Sequence, residues 1–160
     1  MNIFITLGDN LRIRTMMKKD TIEIKDKDAL RVEEFIEGIC ADNHLHNYLG
    51  SISVAVSTAL SVVEGNITLC FEKCIGGVCF TINTETENSF SSLINENAEQ
   101  DNELSFLVNA LTDEIEIKED GKVLDLIFYV NGIDEELAMR RKELVHEYSK
   151  NLVSQLEMKN

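Results

Sequence analysis

Between His46 and Glu64 the chain reads HNYLGSISVAVSTALSVVE, and no charged residue falls inside it. As α-helix, such a stretch makes about five turns. A helix without a charged face belongs in the middle of a fold, not on its rim. Ser53, Ser57 and Ser61 recur every fourth residue as a small, mildly polar stripe, while Ile52, Val56, Ala59, Leu60 and Val63 cover much of the rest. Gly65-Asn66 follows as a stop signal, because both residues tolerate the left-handed backbone that closes a helix. The other segments must pack around this helix, and any binding site should be lined or supported by it.

Upstream, Thr21–Lys25 (TIEIK) alternates with Ile22 and Ile24 on one face, which predicts a strand. Asp26 or Asp28 can cap the next helix. Over Ala29–Ala41, apolar residues at Ala29, Val32, Phe35, Ile36, Ile39 and Cys40 keep helical spacing, with a charged outer face. Downstream, Ile67–Glu72 and Val78–Asn83 flank Ile75-Gly76-Gly77, a β-hairpin signature. Thr84–Gln100 is polar and acidic, of a length that points to a lid, a binding loop or disorder. Asp101–Thr112 opens on a capping residue and carries Leu104, Leu107, Val108 and Leu111 at helical spacing. Glu114–Ile117 and Val123–Val130 form a second hairpin around Glu119-Asp120-Gly121-Lys122. Asp134–Met158 reads as one amphipathic helix with a stripe of Leu137, Leu144, Val145, Tyr148, Leu152 and Leu156.

The order of these segments predicts an α+β two-layer sandwich, helices on one face of a mostly antiparallel sheet. At 160 residues the chain suits one domain, or one domain with an appendage. Residues 1–19 read as an N-terminal extension with a short strand at Asn2–Leu7, residues 20–130 as the domain, and residues 134–158 as the C-terminal helix.

The net charge of −14 is spread along the chain. It disfavours nucleic acid, whose phosphates need a basic face, and an anionic membrane surface. A basic protein partner is favoured. No apolar run is long enough to span a bilayer, and Asp9, Arg12 and Arg14 interrupt the first segment too much for a signal peptide. The chain is expected to be cytoplasmic.

Cys40, Cys70, Cys74 and Cys79 form no C-x-x-C pair. Zinc would need four converging ligands, and Cys70 and Cys74 straddle a turn without that spacing; buried thiols are the expectation, with Cys79 pointing into the core. A thiol nucleophile would need His44 or His46 beside it, and nothing in the sequence places them there. His146 reads as a solvated surface residue. Glu96, Glu99, Asp101 and Glu103 lack the glycine and spacing of a calcium loop and read as a solvated acidic lid.

Three segments carry a resemblance: Phe106–Glu116 (FLVNALTDEIE) running into a hairpin, Ala55–Asn66 (AVSTALSVVEGN), and the strand Val78–Asn83. Over about residues 20–130 they resemble the histidine-kinase-like ATPase fold, in its small-domain branch, the anti-sigma factor serine kinases of bacterial partner switching. That resemblance implies a nucleotide site built from a central-helix Glu as base, an Asn four residues later on magnesium, an Asp in a D-x-G-x-G turn on adenine, and a glycine-rich phosphate cradle before the last helix. In this chain the base position falls on Thr58, which cannot act as a base near neutral pH. The magnesium position falls on Val62, which offers no oxygen. The adenine position falls on Asn83, with Glu85 and Glu87 where glycines are expected. The cradle falls around Asn102 and Leu104, where Asp101 and Glu103 would repel phosphate.

The resemblance therefore implies a scaffold without nucleotide chemistry. The expectation is a non-catalytic regulatory module of the partner-switching type that takes no cofactor and binds a protein, a sigma factor or an anti-sigma antagonist. Its contact surfaces would be the Thr84–Glu103 lid, the helix edge around Thr58 and Val62, and the C-terminal helix. One alternative is an ATP- and magnesium-binding serine kinase in which Asn83 contacts adenine. Another is a structural homodimer subunit, joined through the C-terminal helix.

Overall fold

The computed structural model describes residues 20–26, 28–94, 103–130 and 135–158. In chain order these form β1 (Asp20–Ile24), α1 (Ala29–Asp42), α2 (Leu49–Leu60), β2 (Ile67–Cys74), β3 (Gly77–Asn83), α3 (Glu103–Leu111), β4 (Glu114–Lys118), β5 (Val123–Tyr129) and α4 (Glu135–Met158). The strands make one five-stranded sheet in the order β1-β2-β3-β5-β4. Every neighbouring pair is antiparallel. The fold is the two-layer α+β sandwich that the segment order predicts.

Strand pleating divides the sheet into two faces. Ile24, Leu69, Phe71, Val78, Phe80, Ile82, Leu124, Leu126 and Phe128 share one face and join helix residues in a single core. Across it the Phe71 and Phe80 rings lie 5.2 Å apart, and Phe80 meets Phe128 edge-on at 6.1 Å. Each such ring pair adds about 0.5–1.5 kcal/mol beyond area burial. Cys79 has the opposite parity. It is buried but stands on the outward face, outside that core, contrary to the sequence expectation.

The central helix is where expected but shorter. His44 takes a left-handed conformation (φ 57°) and Leu45 turns inward, so His46–Tyr48 forms only a 3-10 turn before α2 begins. At the other end, the Ser61 hydroxyl donates to the Thr58 carbonyl at 2.6 Å, and the amides of Val62 and Val63 bond three residues back. These bonds satisfy the last carbonyls and end the helix at Leu60. Gly65 (φ 83°) shapes the loop to β2 instead of closing the helix. Ile52, Ala55, Val56 and Ala59 are fully buried, in keeping with the uncharged stretch.

The first part of the expected lid is bound into the core. Phe90 and Leu93 are fully buried. The amides of Thr84 and Asn88 donate to the carbonyls of Lys122 and Asp120, each at 2.9 Å. Gly121 permits this approach, because a Cβ there would lie 2.6 Å from the Asn88 Cα. On the other side, Ser105 Oγ and Asn109 Nδ2 of α3 donate to the Leu93 carbonyl at 2.7 and 3.1 Å. Residues 95–102 lie outside the described residues, as do the expected cap Asp101, Glu96 and Glu99, the strand at Asn2–Leu7, and Asp134.

α4 crosses one end of the helix layer. Arg141 reaches the end of α3, donating to the carbonyls of Ala110 and Thr112 and pairing with Asp113 at 2.9 Å. Leu144, Val145 and Tyr148 pack on the core, and Val145 seats against Gly50. Residues 149–152 are exposed.

Candidate functional site: the outward face of the sheet

The positions implied by the resemblance are scattered. Thr58 is 2% exposed inside the helix layer, and its hydroxyl has no hydrogen-bond partner, so it offers nothing to an external ligand or partner. Val62 is half-buried just beyond α2. Leu104 is exposed on the first turn of α3. Asn102 lies outside the described residues. Asn83, the last residue of β3, lines a shallow cleft of about 270 Å³ with Glu23, Lys25, Asn66, Thr68 and Glu85. Neither Thr58, Val62 nor Leu104 lines that cleft.

The cleft is one end of a larger surface. Cross-strand register sets the outward residues in rows. One row runs Glu23, Thr68, Asn83, Val123, Lys118; the next runs Thr21, Cys70, Thr81, Asp125, Glu116; a third runs Glu72, Cys79, Ile127, Glu114. The middle of this face is small and low in polarity. Cys70, Cys79 and Val123 are each under a tenth exposed, yet none belongs to the core beneath the helices.

Its polar groups hold one another. Thr81 Oγ1 donates to Asp125 Oδ1 at 2.6 Å, and Lys118 Nζ pairs with Asp125 Oδ2 at 2.7 Å. Thr21 Oγ1 donates to Cys70 Sγ at 3.5 Å. The Asp125 carboxylate beside it pushes the Lys118 ammonium above its ordinary range. Among the described strand residues, Glu23, Glu72, Glu114, Glu116 and Asp125 face outward together with Lys118, and Lys25 adds a second ammonium at the cleft end. The carboxylates other than Asp125 stand at the margins of the rows, and the face is strongly acidic at its rim.

Cys79 and Cys74 are held as thiols at neutral pH. Burial pushes Cys79 up to about 11. Burial also raises Cys74, with the charges of Glu72 and Glu114 adding to it. Among the described residues, no group of three or more His, Cys, Asp or Glu side chains is arranged to hold a metal ion. Among them too, no helix is long and apolar enough to cross a membrane. This face is built of small hydroxyl, thiol and aliphatic side chains, its centre largely buried, with carboxylates at the strand margins.

Sequence reasoning missed this surface. The signal was present in Cys79, Thr81 and Asn83, which alternate with Val78, Phe80 and Ile82, and in Asp125 amid the apolar VLDLIFY. Set against models of known protein families, the sequence matches none, and no curated protein sequence matches it.

Proposed function

We propose that this chain is a non-catalytic regulatory module that works by binding another protein. The resemblance to the anti-sigma branch suggests the partner-switching type, in the cytoplasm, with a sigma factor or an anti-sigma antagonist as partner. One observation carries the reading: the outward face of the sheet keeps a low-polarity floor that lies outside the protein's own core, within a charged rim. A surface of that make-up supports recognition of a folded or extended polypeptide better than enclosure of a small molecule.

A second reading, an ATP-binding serine kinase, is favoured by Asn83 alone, since it lines the cleft at the end of the same face. The immobilised chain, exposed to an extract of its source cells with and without Mg-ATP, separates the two. The first reading expects one protein retained in stoichiometric amount whether or not nucleotide is present. No retained protein, together with magnesium-dependent nucleotide binding, would overturn it.

A further inference from the structure

We infer that β4 is a self-association edge. Two copies of this chain pair their β4 strands antiparallel about a twofold axis at Glu116 and join their sheets into one. This goes beyond the partner proposed above and does not depend on it. Among the described residues β4 is paired with β5 alone, so one edge of its backbone faces no other strand. Such an edge is a template for a further strand. A proline, a bulge or an inward-pointing charge commonly blocks it. β4 (EIEIK) has none of these three: it pairs residue for residue with β5, and Ile115 and Ile117 are the side chains it turns inward.

The strand is complementary to itself. With Glu116 on the axis, Glu114 of each copy stands opposite Lys118 of the other. Glu114 is exposed and is in no ion pair among the described residues. Lys118 Nζ holds Asp125 Oδ2 at 2.7 Å, while Glu116 Oε2 lies 3.9 Å away, beyond hydrogen-bond reach. An ammonium has three donors, and the Lys118 side chain is 48% exposed, so it has room for a second carboxylate. Directly opposed side chains have Cβ atoms about 4.5–5.5 Å apart, a gap that Glu and Lys span. On the inward side, Ile115 of each copy meets Ile117 of the other. Both pack on the core yet remain only partly buried, and pairing covers apolar surface that they still expose. Glu116 alone meets its like, at the axis. β1, the other edge, carries Asp20 and Glu23 and no cation, so it lacks this match. Two chains of charge −14 repel at long range, but about 8 Å of screening at physiological salt leaves the close pairs to decide.

The test is sedimentation equilibrium of the full chain at physiological salt, with E114Q, E116Q and E114K beside it. All three substitutions fall on exposed positions of an edge strand, and an unchanged far-ultraviolet spectrum shows that each variant is folded. The parent chain should form a dimer. E114Q and E116Q remove the same charge, yet the register gives them opposite effects. E114Q loses two cross-strand ion pairs and should weaken the dimer about threefold or more, and E116Q removes the repulsion on the axis and should tighten it about threefold. E114K sets Lys against Lys twice and should weaken it at least about tenfold, although it lowers the net charge that drives the copies apart. The second measurement is oxidation of E116C, which brings two thiols together on the axis and should give a covalent dimer faster than the parent chain does. A parent chain that stays monomeric at about 1 mM, a concentration well above the range of functional dimers, would overturn the inference. So would E114Q and E116Q acting in the same direction, which would reduce the effect to net charge. A dimer indifferent to all three substitutions would place association on another surface, and E116C cross-linking no faster than the parent chain would exclude this axis; either overturns it. None of these outcomes bears on capture of a protein from extract, so the partner reading stands or falls separately.

Discussion

Arg141 shows how much one side chain can fasten. Its guanidinium pairs with Asp113 and donates to two carbonyls at the end of α3, and both partners' side chains are nearly buried. Removing one member of such a pair leaves an uncompensated charge. Arg141→Ala should cost about 3 kcal/mol by urea denaturation. Arg141→Lys should recover only part, because an ammonium cannot fork across carboxylate and carbonyls. The buried thiols predict a pH dependence. Cys40 and Cys79 sit at about 11 in the fold against an ordinary 9.0, raised by burial. Between those values the unfolded chain releases its thiol protons and the folded chain keeps them. Stability is therefore full below pH 9 and falls as pH rises towards 11, by about 2–3 kcal/mol for each thiol. Lys118 acts in the same direction at higher pH, as deprotonation ends its attraction to Asp125. Denaturation midpoints from pH 8 to 11 check this, and the slope should shrink in Cys79→Ser. Cys79 also marks a limit of legibility at this scale. Its strand alternates plainly, but cysteine is so often a core residue that type outweighed parity in the sequence reading.

At the scale of elements, the strands and helices were legible because each carries a period. β2 and β3 meet at the expected hairpin, and Asp28 caps α1 by accepting from the Arg31 amide. Helix ends were less legible, because they depend on bonds that periodicity does not show. The Ser61 hydroxyl stops α2 before the glycine that looked like its terminator. The Thr84–Gln100 stretch was only partly legible for a related reason. Its polar composition concealed Phe90 and Leu93, two anchors in the core. Phe90→Ala should therefore destabilise the chain by about 3–5 kcal/mol, a core penalty that a solvated lid residue would not incur. The β2–β3 hairpin makes a sharper prediction. A Cβ at Gly77 would stand 2.0 Å from the Phe128 carbonyl oxygen, so Gly77→Ala must force β3 away from β5. Thermal unfolding should show the midpoint falling by about 4–12 °C, as a loss of about 2–3 kcal/mol implies.

For the whole molecule, the sandwich follows from hairpins and helices that each need one face covered. The helix layer covers one side of the sheet, and the outward side is the surface on which we place the function. The sequence's charge of −14 pointed to a basic partner but not to a location. That location needed the register, which brings carboxylates from β1, β2, β4 and β5 onto one face. The central claim is that the chain holds a protein without nucleotide chemistry. Thermal unfolding of the full chain with and without millimolar Mg-ATP tests it most directly, since a ligand that binds the folded state must raise the midpoint. The account predicts no magnesium-dependent shift. A rise that requires magnesium and disappears in Asn83→Ala would contradict it.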